Sequence, residues 1–374
     1  MPPHRPVSRR AVLRSGAGLA ALTATPTRGP TFPLPQALTV YTQNLGLGTR
    51  LSRLIDIRSG RVDPENVYQR FCDVRRSGVA ERMAAVASRI ASEGPALVAL
   101  QEVATVRRGP VDGDDTSNAE TVAFDYLTTL TDALAAADGP AYRVAAVGTN
   151  ADEEFVADSD TERFDLRLTD RDVVLVREDV TVESTETENY ALNAQLTLRD
   201  GRTVVATRGY ALVEARLDGS PLTFVSTHLS STSSDIREAQ AAELAERVDS
   251  LDRPVVVAGD VNSAPSDGDQ TAYSLLTGPL RDVWSGDGGP TCCQFSNLTN
   301  EESRLRRRID VVLVRGAVEV QGARRVFHDP SSRVTLTVDG EPTERWVSDH
   351  AGVIADLVVS GEVDLFTALR GLLG

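Results

Sequence analysis

Carboxylate, amide and imidazole side chains border apolar runs at several points along this sequence of 374 residues. They occur in the segments Gln43-Asn44, Gln101-Glu102, Thr227-His228, Gly259-Asp260-Val261-Asn262 and Ser348-Asp349-His350. Each segment alone is weak, because Gly-Asp-x-Asn is a common turn and a single histidine is more often structural than catalytic. Together with Asp310 they predict that polar side chains cluster in one site at the ends of the strands. Its oxygen donors suit a hard divalent cation, Mg²⁺ or Mn²⁺.

The strands that would position these residues are short β-branched runs, which begin at Ala37. The candidates are Leu38–Thr42, Ala96–Leu100, Tyr142–Val147, Asp172–Val176, Thr203–Thr207, Leu222–Ser226, Pro254–Ala258, Ile309–Val314 and Gly352–Val359. Helices do not separate many of these strands. The order therefore favours two packed sheets flanked by helices over a doubly wound parallel sheet. No repeat or long linker interrupts the run, so a single domain is expected.

Two stretches carry apolar residues at helical spacing. One predicted face consists of Val79, Met83, Val86 and Ile90. The other consists of Ile236, Ala239, Leu244 and Val248, and Asp235 is the predicted cap of that helix. Two acid-rich segments, Val111–Ala119 and Ala151–Arg163, are poor in large apolar residues and are predicted to be surface loops or insertions with solvated charge.

The composition excludes some chemistry, because all 39 basic residues are arginines. Without lysine the chain has no Walker-type phosphate loop, Schiff-base nucleophile or lysine general base. The 54 acidic residues give a net charge of −15, and removing the first thirty residues, which hold five arginines and no acid, brings it to −20. This lysine-free, acid-rich composition resembles that of halophilic proteins, although high-GC codon usage also depletes lysine.

The N-terminal segment predicts export. Ser8-Arg9-Arg10-Ala11-Val12-Leu13-Arg14 precedes a mildly apolar stretch and resembles a twin-arginine signal. We expect residues 1–36 to form this signal and a linker, which would make the mature protein secreted or held at the cell surface. A disordered basic tail is the alternative. No apolar run reaches 18 residues, so no transmembrane segment is expected.

The three cysteines, Cys72, Cys292 and Cys293, are too few for a four-thiolate zinc site. In an exported protein Cys72 would be able to pair with one member of the vicinal pair, which leaves one thiol over. Three thiols without a role are an equal alternative.

Seven motifs in order make the sequence resemble the endonuclease/exonuclease/phosphatase superfamily across residues 37–359. They are Gln-Asn near the start, Leu-Gln-Glu, Arg-Asp-Val-Val-Leu, Thr-His-Leu, Gly-Asp-x-Asn-Ser, Arg-Ile-Asp and Ser-Asp-His. The resemblance implies an α/β (α+β) fold, a four-layer sandwich of two mostly antiparallel β-sheets flanked by helices, with the site at one edge. It also implies hydrolysis of phosphoric esters with a divalent cation. Residues 360–374 would be a short C-terminal helix or tail.

The resemblance also implies residue roles at the cation and the attacking water. Glu102 would be the principal metal ligand, and Asn44 and Asp349 would lie close to the metal or its waters. Asp260 and Asn262 would position the attacking water and a phosphate oxygen. Asp260 is the preferred general base.

The remaining roles concern charge that develops on the phosphate. Asp310 would bond one imidazole nitrogen of His350 and favour its charged form. His350 and His228 would stabilise the transition state or protonate the leaving oxygen. Arg171 would lie near a phosphate.

The leading hypothesis is therefore a secreted, divalent-metal-dependent phosphodiesterase of nuclease-like type. The alternatives are a catalytically inactive binding or adhesion module on the same fold, and a phosphomonoesterase or phospholipase C-like enzyme. The one dense basic stretch, Arg304 to Arg308, is either a nucleic-acid contact or a solvated loop. The substrate class stays open between nucleic acids and small phosphoesters. No protein partner is predicted.

Overall fold

The computed structural model describes residues 35–51, 54–56, 59–111, 117–266, 268 and 270–360. The predicted export segment and C-terminal tail lie outside these residues, apart from positions 35, 36 and 360. No helix in the described ranges is long and apolar enough to span a membrane.

Five α-helices are described: α1 Pro64–Arg76, α2 Val79–Glu93, α3 Tyr126–Ala136, α4 Ser234–Asp249 and α5 Thr271–Leu276. A 3₁₀ turn covers Pro330–Ser332. The strands up to residue 189 are β1 Gln36–Asn44, β2 Ile55–Asp56, β3 Arg61–Val62, β4 Leu97–Gln101, β5 Thr105–Gly109, β6 Thr121–Asp125, β7 Tyr142–Asp158, β8 Arg163–Arg177 and β9 Thr181–Asn189. Those that follow are β10 Ala194–Thr197, β11 Thr203–Ala206, β12 Gly209–Leu217, β13 Ser220–His228, β14 Val255–Asp260, β15 Arg281–Asp282, β16 Asp310–Arg315, β17 Val318–Val326, β18 Val334–Val338, β19 Glu341–Arg345 and β20 Gly352–Val359.

Two large sheets form the middle of the molecule. The first has the order β17-β20-β1-β4-β8-β5-β6, with β7 also paired to β8, and the second has the order β15-β16-β14-β13-β12-β9. Within them the β1–β4 and β13–β14 pairs are parallel and the other pairs are antiparallel. All nine predicted strands are present.

Three apolar cores separate the layers. One packs α1, α2 and α3 on the outer face of the first sheet, one lies between the sheets, and one packs α4 and α5 on the second sheet. The helix–sheet–sheet–helix order confirms the predicted four-layer sandwich. In β14, Val255 and Val257 face the helices whereas Val256 and Ala258 face the other sheet. A strand buried on both faces is a continuous apolar run, which is why the sequence revealed it.

The prediction of a solvated loop over Ala151–Arg163 was wrong. Residues 151–158 belong to β7, which pairs with β8 along its full length. The acidic side chains are bonded: Asp152 accepts from Arg167 Nε at 2.8 Å, and Glu154 accepts from the backbone N–H of Ala119 at 2.8 Å. Protein donors thus replace the solvent that the acidic composition suggested.

The predicted start of α4 was also shifted. Ser233 is the N-cap residue and Asp235 lies in the first turn, where its charge favours the positive end of the helix dipole. The buried face contains Leu244 and Val248 as expected, but Ala239 is exposed and Arg237 is buried. The face that packs is therefore rotated from the predicted one. By contrast, Val79, Met83, Val86 and Ile90 of α2 are all buried as predicted.

Candidate active site

The topology of the first sheet brings one half of the predicted site together. Because β1 and β4 are parallel neighbours, Asn44 at the end of β1 and Glu102 directly after β4 lie at the same edge. The antiparallel strand β20 begins at that edge, directly after Asp349 and His350. The Ser348 hydroxyl fixes this junction, since it donates to the Asn44 carbonyl at 2.7 Å and accepts from the His350 amide at 3.0 Å.

The second sheet supplies the other half. The parallel register of β13 and β14 places His228 opposite Asp260, and the antiparallel register of β14 and β16 places Asp310 opposite Asp260. Close approach of β13 and β14 requires glycine at position 259, where a Cβ would lie 1.9 Å from the Thr227 carbonyl oxygen. Asn262 donates its backbone N–H to Asp260 Oδ1 at 2.9 Å, and its φ of 51° turns the chain sharply.

His350 connects the two sheets. Its Nδ1 lies 2.9 Å from Asp310 Oδ2 and 3.7 Å from Asp260 Oδ2. Burial opposes the charged imidazolium, but the carboxylates of Asp310 and Asp260 outweigh it and raise the pKa of His350 well above its usual range. These carboxylates therefore favour the charged form of His350.

His228 has the opposite electrostatic character. It is buried, its Nε2 lies 3.6 Å from Asp260 Oδ2, and its Nδ1 has no hydrogen-bond partner in the described part of the chain. Burial, Arg208 and His350 hold the pKa of His228 well below its usual range. Two neighbouring imidazoles with separated pKa values are the arrangement expected of a proton donor beside a neutral partner.

Asn44 joins the carboxylates of the two sheets. Its Nδ2 lies 3.1 Å from Asp260 Oδ2 and 3.4 Å from Glu102 Oε1, and its Oδ1 accepts from the Gly46 N–H at 3.0 Å. Gly46 has a φ of 61°, and a Cβ there would lie 2.3 Å from Asp349 Oδ1. A side chain at this position would displace the Asp349 carboxylate.

The residues around Glu102 fit a hard cation. Desolvation and the carboxylates of Asp349 and Asp170 raise the pKa of Glu102 to about 7, which is the signature of crowded negative charge. A divalent cation would relieve this repulsion, and the donors are oxygens. Asp260, Asp310 and His350 also have ligand atoms within 4.8 Å of one another, but the His350 nitrogen is already bonded to Asp310. Glu102, Asn44 and Asp349 stay the predicted ligands, although the Asn44 amide oxygen accepts from the Gly46 N–H and its nitrogen faces Glu102.

Arg171 lies on β8 between Asp170 and Asp172. Its guanidinium donates to the Val103 carbonyl at 3.0 Å, to Thr105 Oγ1 at 2.6 Å and to Asp125 Oδ1 at 3.1 Å. No described contact joins it to the group formed by Glu102, Asp260 and the two histidines. Its phosphate-binding role stays a prediction.

A second charged group adjoins the site and was missed by the sequence. Arg208, in the link between β11 and β12, donates to Asp170 Oδ2 at 2.6 Å. The neighbouring Asp172 is buried, and neither of its oxygens has a hydrogen-bond partner among the described residues. Burial and the charge of Asp170 raise the pKa of Asp172 well above its usual range. No local pattern marks Arg208, because its partner lies 38 residues away.

Arg82 was also missed, although the sequence carried a signal for it. It lies on the apolar face of α2 beside Met83 and is fully buried. Its guanidinium donates to the carbonyls of Leu45 and Gly46, and to that of Val347 at 2.7 Å. One arginine thus fixes both loops that carry Asn44 and Asp349. A charge on a helical face that is otherwise apolar was the available signal.

The segment 291–294 braces the His350 loop through its backbone. Gln294 N donates to the Asp349 carbonyl at 2.8 Å, and Ala351 N donates to the Thr291 carbonyl at 2.7 Å. Within this segment Cys292 and Cys293 form a disulfide with each other, and Cys72 is a buried free thiol. The pairing considered for Cys72 is therefore not formed, and the vicinal cysteines offer no thiolate to a cation.

The basic stretch 304–308 does not form one exposed surface. Arg308 is buried and pairs with Asp282 at 2.7 Å, and Arg307 donates to the Asn262 carbonyl at 3.2 Å. Arg304 and Arg306 are exposed, and Arg304 lies over the Phe295 ring. Half of the stretch therefore has structural partners.

The same fold is found in known proteins. The sequence model described as "Endonuclease/Exonuclease/phosphatase family" matches residues 66–350. This match covers most of the chain, and the protein belongs to that family. No curated protein matches the sequence significantly.

Solved structures share the fold at low sequence identity. An endonuclease/exonuclease/phosphatase family protein from Bacteroides thetaiotaomicron has a TM-score of 0.56 and 16% identity, over 87% of this chain and 99% of that one. A mannosyl-6-phosphatase from Bacteroides thetaiotaomicron VPI-5482 has a TM-score of 0.54 and 16% identity, over 86% and 99% of the two chains. A family member from Bacteroides vulgatus has a TM-score of 0.51 and 16% identity, over 87% and 100%.

The histidine charges lead to a prediction that needs no substrate. In metal-free protein His350 should stay protonated well above pH 6.5, and Asp310→Asn should lower its pKa because the bonded carboxylate charge is lost. The contribution of protonated His350 to the free energy of unfolding is fully present below about pH 6.5, the pKa of histidine in the unfolded chain. It is lost as the pH rises through the higher pKa of His350 in the folded protein. Imidazole ¹⁵N chemical shifts measured against pH test this.

The control in the same spectra is His328, which is half-buried and has no described contact with Asp310. Burial lowers the pKa of His328. Its titration should not move in Asp310→Asn. Titration of wild-type His350 near pH 6.5, or an unchanged His350 in the variant, would contradict the assignment.

Proposed function

We propose that this protein is a divalent-cation-dependent phosphoric ester hydrolase that acts as a phosphodiesterase of nuclease-like type. The observation that carries the proposal is the position of His350, held 2.9 Å from Asp310 and 3.7 Å from Asp260, beside the oxygen donors around Glu102. A phosphodiester is anionic, so attack by water needs cationic and hydrogen-bonding groups that neutralise the phosphate oxygens.

Glu102, Asn44 and Asp349 would hold Mg²⁺ or Mn²⁺, which when bound neutralises phosphate charge and lowers the cost of attack. Asp260 would accept the proton of the attacking water. Burial and Asp310 raise the pKa of Asp260 to about 6, which is close to the optimum for a base that works near neutral pH.

His350 would donate a hydrogen bond or proton to the developing charge, with Asp310 fixing the orientation of its ring. His228 would contribute a neutral imidazole on the other side of Asp260. Asn262 holds Asp260 through its backbone N–H, and its side-chain amide donates to the Leu229 carbonyl at 2.9 Å. This contact supports a positioning role for Asn262 in addition to the predicted contact with phosphate.

A catalytically inactive binding module is less well supported, because every predicted motif residue is present and the two sheets bring the acid–base residues together. Phosphomonoester hydrolysis is the second candidate, since the fold is shared with a mannosyl-6-phosphatase. Purified mature protein should be assayed with Mg²⁺ against plasmid DNA, RNA, a nitrophenyl phosphodiester and mannose 6-phosphate. We also propose secretion through the twin-arginine route, on the strength of the N-terminal sequence.

Glu102→Gln should lower the rate at saturating Mg²⁺ at least about a hundredfold, because the substitution removes one ligand charge while it keeps the side-chain shape. The measurement is kcat on the best substrate of the panel, with circular dichroism to confirm the fold. Glu319→Gln is the matched control, since Glu319 is exposed on β17 at the far end of the same sheet. Near-wild-type turnover of Glu102→Gln would refute the cation assignment.

We further propose that Arg208 contacts the substrate phosphate. Arg208→Gln should raise KM about tenfold or more, because a hydrogen bond to a charged group contributes about 1.5–3 kcal/mol. Arg171→Gln is the comparison: it should lower the melting temperature through the lost contacts with Thr105 and Asp125, with KM within about twofold of wild type. If KM rises for Arg171→Gln alone, the phosphate contact belongs to Arg171.

The acidic composition leads us to propose adaptation to high salt. Activity on nucleic acid should rise from dilute buffer to an optimum above about 1 M monovalent salt, where the Debye length is about 3 Å and repulsion between substrate and protein is screened. A small nitrophenyl diester, assayed in parallel, separates this effect from salt-dependent folding. Maximal activity and stability near 0.1 M would leave codon usage as the reason for the missing lysines.

A further inference from the structure

An apolar cavity lies beside the candidate active site, between α1, the first sheet and β11. Its volume is about 200 Å³, and fifteen of its eighteen lining residues are apolar. The three polar lining residues already have protein partners. Thr49 donates to Asp73 at 3.0 Å, Arg70 pairs with Asp73 at 3.3 Å, and Glu153 accepts from the Val205 N–H at 3.0 Å.

The cavity adjoins the site along several chain segments at once. Leu47 lines the cavity with its side chain and donates its backbone N–H to Glu102 Oε2 at 3.1 Å. Three other lining residues are close in sequence to polar residues: Leu168 precedes Asp170 by two positions, Ala206 precedes Arg208 by two, and Ala151 follows the buried Asn150. A ligand bound at Glu102 and Arg208 thus has an apolar compartment next to it.

We infer that this cavity receives the apolar part of the substrate, so that the substrate is a phosphoester whose alcohol carries a short alkyl chain or an aromatic ring. This inference rests on the proposed function. The volume sets the size of the group, because an engineered apolar cavity of about 150 Å³ binds benzene. A phenyl ring or a chain of about six carbons therefore fits, and a bare sugar or nucleoside would leave the apolar walls without a partner.

The test uses phosphonates, which the enzyme cannot hydrolyse, so binding is measured independently of turnover. Methyl-, butyl-, hexyl- and phenylphosphonate are titrated calorimetrically into mature protein with Mg²⁺. Hexylphosphonate should bind at least tenfold more tightly than methylphosphonate, because each fully buried methylene is worth up to about fourfold in affinity. The phenyl arm distinguishes an aromatic from an alkyl preference.

Ala206→Phe adds a ring at a lining position on the solvent-exposed side of the cavity and should reduce the difference between hexyl- and methylphosphonate to about twofold. The matched control is Ala136→Phe, at an exposed position on α3 outside the cavity lining. Leu168→Ala enlarges the cavity and should move the best ligand to a longer chain, which keeps the test informative if the filled variant does not fold.

Equal affinity for all chain lengths in wild type, or a chain-length effect that survives Ala206→Phe, would overturn the inference. Hydrolysis without a chain-length preference would leave the proposed function intact. Tight binding of hexylphosphonate without hydrolysis of any phosphoester would support the cavity and contradict the proposed function.

Discussion

The contact between His350 and Asp310 is the interaction on which the site depends. The imidazole belongs to a loop of the first sheet, and the carboxylates of Asp310 and Asp260 belong to the second. Two buried carboxylates on paired positions of β14 and β16 repel one another, and the imidazolium offsets that repulsion. The same contact therefore links the edges of the two sheets. It also favours a positive charge on His350 at the position where a phosphate ester would bind.

Hydrogen bonds from neighbouring protein residues keep this contact in place. Arg82, on α2, donates to carbonyls in the loops after β1 and before β20. Residues 291–294 hold the His350 loop through backbone hydrogen bonds. Gly46 allows Asp349 to approach Asn44, and Gly259 allows β13 and β14 to bring His228 next to Asp260. The hydrogen bonds of Arg82 and of residues 291–294 reach these loops through backbone carbonyl and N–H groups.

The sequence predicted the sandwich and most of the site because both depend on local signals. Strands buried on two faces appear as apolar runs, and the polar residues at their ends appear as short motifs such as Gly259 to Asn262. Arg208 escaped prediction because Asp170, which holds it, is distant in the chain and adjacent only in the folded sheet. The composition of the segment from Ala151 predicted a loop, whereas the structure has a strand. Its acidic residues accept hydrogen bonds from Arg167 and from backbone N–H groups, and composition does not reveal these donors.

The disulfide between Cys292 and Cys293 links adjacent residues, so it closes almost no loop of chain. A cross-link stabilises a protein mainly by restricting the unfolded ensemble, and one between neighbours restricts very little of it. The stability of the domain then comes mainly from its apolar cores, and Cys72 is a buried apolar side chain. The folded state therefore gains little from an oxidising compartment.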